Sequence, residues 1–183
     1  MVKTIKPLDT IFDYITGKKV PNIGTEENRQ AVERYLVEKK GYQKHDIEVD
    51  APIEIEIQGE IYRSFVDLVV SVEGNRFMAI KCAAGSLDSW SREIVSASRL
   101  LHRFQLPFSI VSDGKTAIVL DTLSGKRIQE GLQAIPSRNK AQDMIGKDTF
   151  QPVPKDRMER EKLIFRSYDT MKVNAQWKVS SEK

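Results

Sequence analysis

The stretch Phe65-Val-Asp-Leu-Val-Val-Ser-Val-Glu-Gly-Asn-Arg-Phe-Met-Ala-Ile-Lys-Cys82 decides how the chain folds. Two apolar, β-branched-rich runs flank Glu73-Gly74-Asn75, so the spacing predicts an antiparallel hairpin. With the turn centred on Gly74, residues whose numbers sum to 148 face each other across the ladder. Asp67 then stands opposite Lys81, with Cβ atoms about 5 Å apart. Strand side chains alternate, which puts Asp67, Val69, Phe77, Ala79 and Lys81 on one face. An acid and an amine thus meet at the end of two apolar strands. Taken alone, such a pair is an ion pair at a sheet margin, contributing about 0–1 kcal/mol if exposed.

Working outward, Pro52-Ile-Glu-Ile-Glu-Ile57 alternates apolar and acidic residues and runs into Gly59, which predicts a preceding half-exposed strand. With runs over 61–72 and 76–82 it makes a three-stranded meander. Upstream, Thr25 is placed to cap a helix over about 26–40. Its apolar positions Ala31, Val32, Tyr35 and Leu36 share a face, and Gly41 ends it. Downstream the period becomes helical over 88–104, with Trp90, Ile94, Ala97, Leu101 and Phe104 in one stripe. Pro107 opens a strand over 108–111, Asp113-Gly114 marks a turn, and a strand follows over 116–120. The order α-β-β-β-α-β-β predicts an α/β (α+β-like) domain over 1–135, with a mixed central sheet flanked by helices. Residues 136–183 read as an extension punctuated by Pro136, Pro152 and Pro154. It carries a short helix near 156–168 and an end that frays past about Gln176.

Composition sets the outer bounds. The chain has 183 residues, 40% apolar and 30% charged, which suits one domain with an appendage. The single cysteine, Cys82, excludes an intrachain disulfide and reads as a buried small hydrophobe. His45 and His102 stand far apart, so no zinc site suggests itself. Lys3, Lys6, Asp9 and Asp13 interrupt the N-terminal apolar residues, leaving no signal peptide, and no stretch could span a bilayer; a cytoplasmic location is expected. The net charge of +3 permits nucleic-acid binding without demanding it. Gly114-Lys-Thr116 mimics the tail of a phosphate-binding loop, but Ser109 replaces the required glycine and both flanks are strand-like. A hairpin turn, and no ATP motor, is expected there.

The ordered set of segments resembles the PD-(D/E)xK nuclease core. More narrowly, it resembles the N-terminal domain of type I restriction enzyme R subunits, in the manner of a stand-alone relative. The matching pieces are Thr25-Glu-Glu-Asn-Arg29 with Gly41-Tyr42, then Tyr62-Arg-Ser-Phe-Val-Asp-Leu-Val-Val70, then Met78-Ala-Ile-Lys-Cys82. Val111-Ser-Asp-Gly114 and Leu120-Asp-Thr122 complete the set. The resemblance implies a restriction-endonuclease-like fold over about 10–130 and a Mg2+-dependent (or Mn2+-dependent) nuclease acting on DNA. It makes Asp67 the first metal ligand and Lys81 the catalytic cation, and Glu27 on the first helix is a candidate to complete the metal shell.

One departure qualifies this. The family's second acid stands two residues before the lysine, where this chain has Ala79. Either the site is silent or another carboxylate reaches the same point. Glu93 is the best substitute, because some restriction enzymes of this fold draw their second acid from the helix after the lysine strand; Asp88 ranks behind it. The implied catalytic set is therefore Asp67, Lys81 and Glu93, with Asp67, Glu27 and Glu93 toward metal. The alternative is a catalytically inactive module that binds nucleic acid or a protein partner. Arg92, Arg99 and Arg103 are candidates for phosphate contact, and the C-terminal extension is a candidate to dock on the domain or, as a homodimer surface, on a second subunit.

Overall fold

The computed structural model describes residues 9–146 and 149–180, with side chains as far as Asp169. A short antiparallel pair, β1 (Thr10–Phe12) and β2 (Lys19–Pro21), precedes helix α1 (Glu26–Glu38). Then come β3 (Ile47–Ile57), β4 (Glu60–Val72), β5 (Asn75–Cys82), α2 (Ser91–Leu100), β6 (Phe108–Ser112), β7 (Ala117–Asp121) and β8 (Arg127–Glu130). Helices α3 (Arg138–Met144) and α4 (Lys155–Ser180) close the order. The short helix expected near 156–168 is the longer α4, which stays helical past Gln176 as far as Ser180; residues 181–183 lie outside the described ones. No helix among the described residues is long and apolar enough to cross a membrane.

Strands β3 to β8 form one six-stranded sheet in sequence order. Every neighbouring pair is antiparallel except β5 and β6, which run parallel because α2 carries the chain across between them. The expected mixed sheet flanked by helices is what forms. The edge strand β8 and the β1–β2 pair had no counterpart in the sequence reading. Residues 113–116 make the β6–β7 hairpin turn, where Asp113 accepts from the backbone N–H groups of Lys115 and Thr116.

Apolar residues divide between the two faces. Leu68, Val70, Phe77, Met78, Ile80 and Cys82 pack with Val32 and Leu36 of α1. Ala79, Val69 and Val111 pack with Ile94 and Ala97 of α2 and Phe165 of α4. Along β3 the odd-numbered residues change layers: Ile47 and Val49 lie on the α1 side, Ala51, Ile53, Ile55 and Ile57 on the α2 side. The exchange falls at Asp50, whose φ of 52° is the left-handed conformation that Asp tolerates better than most residues. The long β3–β4 hairpin therefore packs its base against one helix layer and its tip against the other.

Two local expectations need correction. Thr25 occupies the position before α1, but its side chain makes no capping bond. Ala31 is exposed, and the buried face of α1 runs instead through Arg29, Gln30, Val32, Glu33 and Leu36, because the segment over 13–15 covers the polar residues. Helix α2 has almost no solvent face, since α4 lies over its outer side: Arg99 is bound by Glu161 of α4 at 2.5 Å, and Ser96 donates to the same carboxylate. The segment beyond Ile135 adds Ala141, Val153 and Phe165 to the buried set.

The β6–β7 turn packs tightly on α1. Gly114 has φ +83°, and a Cβ there would stand 2.8 Å from that of Ala31. Gly114→Ala is expected to lower the unfolding free energy by about 1–3 kcal/mol through overpacking and backbone strain together. Gly74→Ala, at φ +76° but with nothing within 4 Å, is expected to lose less. Denaturant titration of the two variants checks the difference.

Candidate active site

The hairpin's own irregularity builds the site. The β4–β5 turn is Glu73-Gly74, both at positive φ, and Val72 pairs with Asn75. Such a two-residue turn suits the strand twist. It also means that partner numbers sum to 147 beside the turn, where Ser71 meets Arg76. A bulge follows: Val70 pairs with Met78, Val69 with Ala79 and Leu68 with Ile80. Phe77 is the extra residue, and it turns to the α1 layer beside Met78, away from Ala79. It does not share a face with Asp67 and Lys81, contrary to strict alternation, because a bulge puts two successive residues opposite one. Beyond it the register is the one that sets Asp67 against Lys81.

Lys81 is 6% exposed, and its Nζ lies 3.7 Å from Asp67 Oδ2 and 3.4 Å from Glu93 Oε1. Its ammonium also stands 5.0 Å from the centre of the Trp90 ring. Asp67 is fixed a second time, because its Oδ2 accepts the backbone N–H of Cys82 at 2.7 Å. Glu93 is 3% exposed and arrives on the first turn of α2, the helix whose Ile94 and Ala97 pack in the same layer as Ala79. A buried ammonium needs counter-charge, and here it has a carboxylate on each side. Asp67, Lys81 and Glu93 are thus brought together, at the C-terminal end of β5 where β6 runs parallel to it.

Other residues singled out from the sequence stand elsewhere. Glu27 is exposed and accepts from Asn22, because the helix turns Glu26 inward instead. Asp88 pairs with Arg127 on the surface. Arg99 is held internally by Glu161 and the backbone carbonyls of Thr122 and Leu123. Arg103 lies past the C-terminal end of α2, over the Phe104 ring. Cys82 is a buried thiol, its pKa pushed up by burial.

Sequence reasoning missed a polar cluster beside Asp67. Glu26, Arg29 and Asp50 line a groove of about 380 Å³ with Asp67, and Pro21, Ile23 and Phe65 lend it apolar surface. Arg29 holds Glu26 at 2.8 Å and Asp50 at 3.1 Å. The i, i+3 spacing of Glu26 and Arg29 was the available signal; nothing in the sequence ties either to Asp50. Asp67 is the member shared by this groove and the Lys81 cluster. Among the described residues no three His, Cys, Asp or Glu side chains are grouped closely enough to cage a metal on their own. Two carboxylates suffice for Mg2+, which keeps most of its waters and takes phosphate oxygens.

The family model for Type I restriction enzyme R protein N terminus (HSDR_N) matches residues 24–136. The chain belongs to this family. No curated protein and no solved structure matches it. Membership makes the chain a nuclease-related module, and the matched span of this R-protein N-terminal domain contains Asp67, Lys81 and Glu93 as well as the groove residues Glu26, Arg29 and Asp50.

One buried group in the domain titrates unusually. Glu33 is fully buried behind Arg29, and burial together with the neighbouring Asp13 raises its pKa to about 8. Its unfolded value is near 4.5, so between those values the folded chain holds a proton that the unfolded chain has released. Stability is then full below the unfolded value and falls as pH rises toward the folded one. Glu33→Gln is expected to flatten that fall and to raise the thermal midpoint most on the alkaline side. A midpoint-against-pH series for both proteins measures it; equal slopes would contradict the assignment.

Proposed function

We propose that this domain hydrolyses DNA phosphodiesters with the help of Mg2+ or Mn2+, using Asp67 and Glu93 toward the metal and Lys81 toward the phosphate. The observation that carries the reading is the bracketing of one buried ammonium by two carboxylates, at 3.7 and 3.4 Å. A divalent ion held by that pair would polarise the phosphodiester and lower the pKa of a bound water. Lys81, on the same strand end, is placed to stabilise negative charge developing on the phosphate oxygens. The Cys82 N–H keeps Asp67 oriented toward that point. The Trp90 ring faces the Lys81 ammonium and limits water on that side, which strengthens the local electrostatics. Glu93 does from α2 what the strand acid absent at position 79 does in its relatives.

A second reading, a silent module that binds nucleic acid or a protein, is favoured by Ala79 itself. The two readings separate experimentally. Plasmid cleavage in Mg2+ or Mn2+ is expected to fall by about a hundredfold or more in Asp67→Ala and in Lys81→Ala. Equal cutting by the wild type and by a preparation carrying both changes would assign the activity to a contaminant.

Moving the acid is a sharper test. Ala79 is fully buried against the α2 layer, so Ala79→Glu alone overpacks that layer and adds a second carboxylate near Glu93. Combined with Glu93→Ala, the same change relocates the carboxylate to the strand. The double variant is expected to cut where Glu93→Ala alone does not. Silence of wild type and double variant alike, with both folded, would favour the binding module.

A further inference from the structure

On the outer side of α2 a second charged site forms that involves none of Asp67, Lys81 and Glu93. Among the described residues, four arginines, Arg92, Arg99, Arg157 and Arg160, line a pocket of about 340 Å³ with Glu161 as its one carboxylate. That volume lies at the small end of ligand pockets, ~300–1,000 Å³. Glu161 is already satisfied, because Arg99 binds it at 2.5 Å and Ser96 donates to it at 2.8 Å. Arg99 serves as a strut between α2, α4 and the carbonyls of Thr122 and Leu123. Arg157 touches Glu161 only at 3.9 Å and is otherwise turned to the Leu123 carbonyl. Arg92 and Arg160 make no ion pair among the described residues. The Ser91 hydroxyl, on the same wall, is buried without a hydrogen-bond partner.

Four guanidinium groups sharing one carboxylate repel one another, and an anion with several acceptor oxygens relieves that repulsion. Planar forks of this kind match phosphate oxygens well. We propose that the pocket between α2 and α4 binds a phosphate group, with Arg92 and Arg160 as its principal donors. Arg157 and Arg160 come from α4, which lies beyond the family-matched residues 24–136, so the site is a property of the longer chain. The proposal stands independently of the catalytic reading.

Two sources can supply such a group, free phosphate or the backbone of a nucleic acid. The full-length protein is compared with Arg92→Gln/Arg160→Gln and with a control of equal charge change on distant surface, Lys39→Gln/Lys115→Gln. Inorganic phosphate is titrated against matched-ionic-strength chloride by calorimetry, and a labelled DNA duplex by anisotropy without divalent ions. Phosphate binding weakened about tenfold or more in the arginine variant alone supports the site with a free ligand. No phosphate binding, but DNA affinity reduced to that degree in the arginine variant and not the control, supports it with a backbone ligand. Equal behaviour of both variants toward both probes overturns the proposal.

Discussion

The bulge at Phe77 determines which face of the sheet presents the acid to the amine. With the ladder unbroken from the Glu73-Gly74 turn, Asp67 would oppose Ile80, whose side chain lies in the α1 layer. A one-residue slip moves every later side chain of a strand to the other face. The bulge applies that slip once, between the turn and the site, and Asp67 comes to share a side with Lys81. Phe77 is held in place by Phe108, ring centres 5.4 Å apart, so the irregularity is itself packed.

Burial of Lys81 then makes demands on the rest of the fold. An ammonium so enclosed is tolerable only with close counter-charge, and one carboxylate comes from β4 and the other from α2. The position of α2 is accordingly part of the site. That helix is pinned from outside by the Arg99–Glu161 pair and from inside by its apolar contacts with Ala79 and Val111. Helix α4 thus bears on the site from a distance, by fixing the element that carries Glu93. Asp67 joins this cluster to the groove where Arg29 ties Glu26 to Asp50, which opens that acid to solvent.

Much of this was legible before any coordinates. The period-two runs and Gly-containing turns gave the meander, and the change of period after Cys82 gave α2. A turn centred on Gly74 sets Asp67 opposite Lys81; the actual turn is Glu73-Gly74, and the bulge brings the ladder back to that same register. Bulges leave little trace in sequence. Glu93 is reachable from its helical position, whereas which of Glu26 and Glu27 turns inward is not, because one residue of helical phase cannot be fixed by a short apolar stripe. The burial of Arg99 was hidden for another reason: it depends on α4, more than fifty residues away in the chain, and an arginine on a helix ordinarily reads as solvated. The left-handed Asp50, where the hairpin changes layers, lies just ahead of the alternating run over 52–57 and carries no signal of its own.

The central claim is that Asp67 and Glu93 converge on a point where Lys81 now stands and a divalent ion can bind. Anomalous diffraction from crystals soaked in Mn2+ tests it most directly. The account predicts a peak within coordination distance of both carboxylates, with the lysine displaced slightly from its present contacts. A peak bound only by Glu26 and Asp50, or no bound manganese near Asp67, would contradict it.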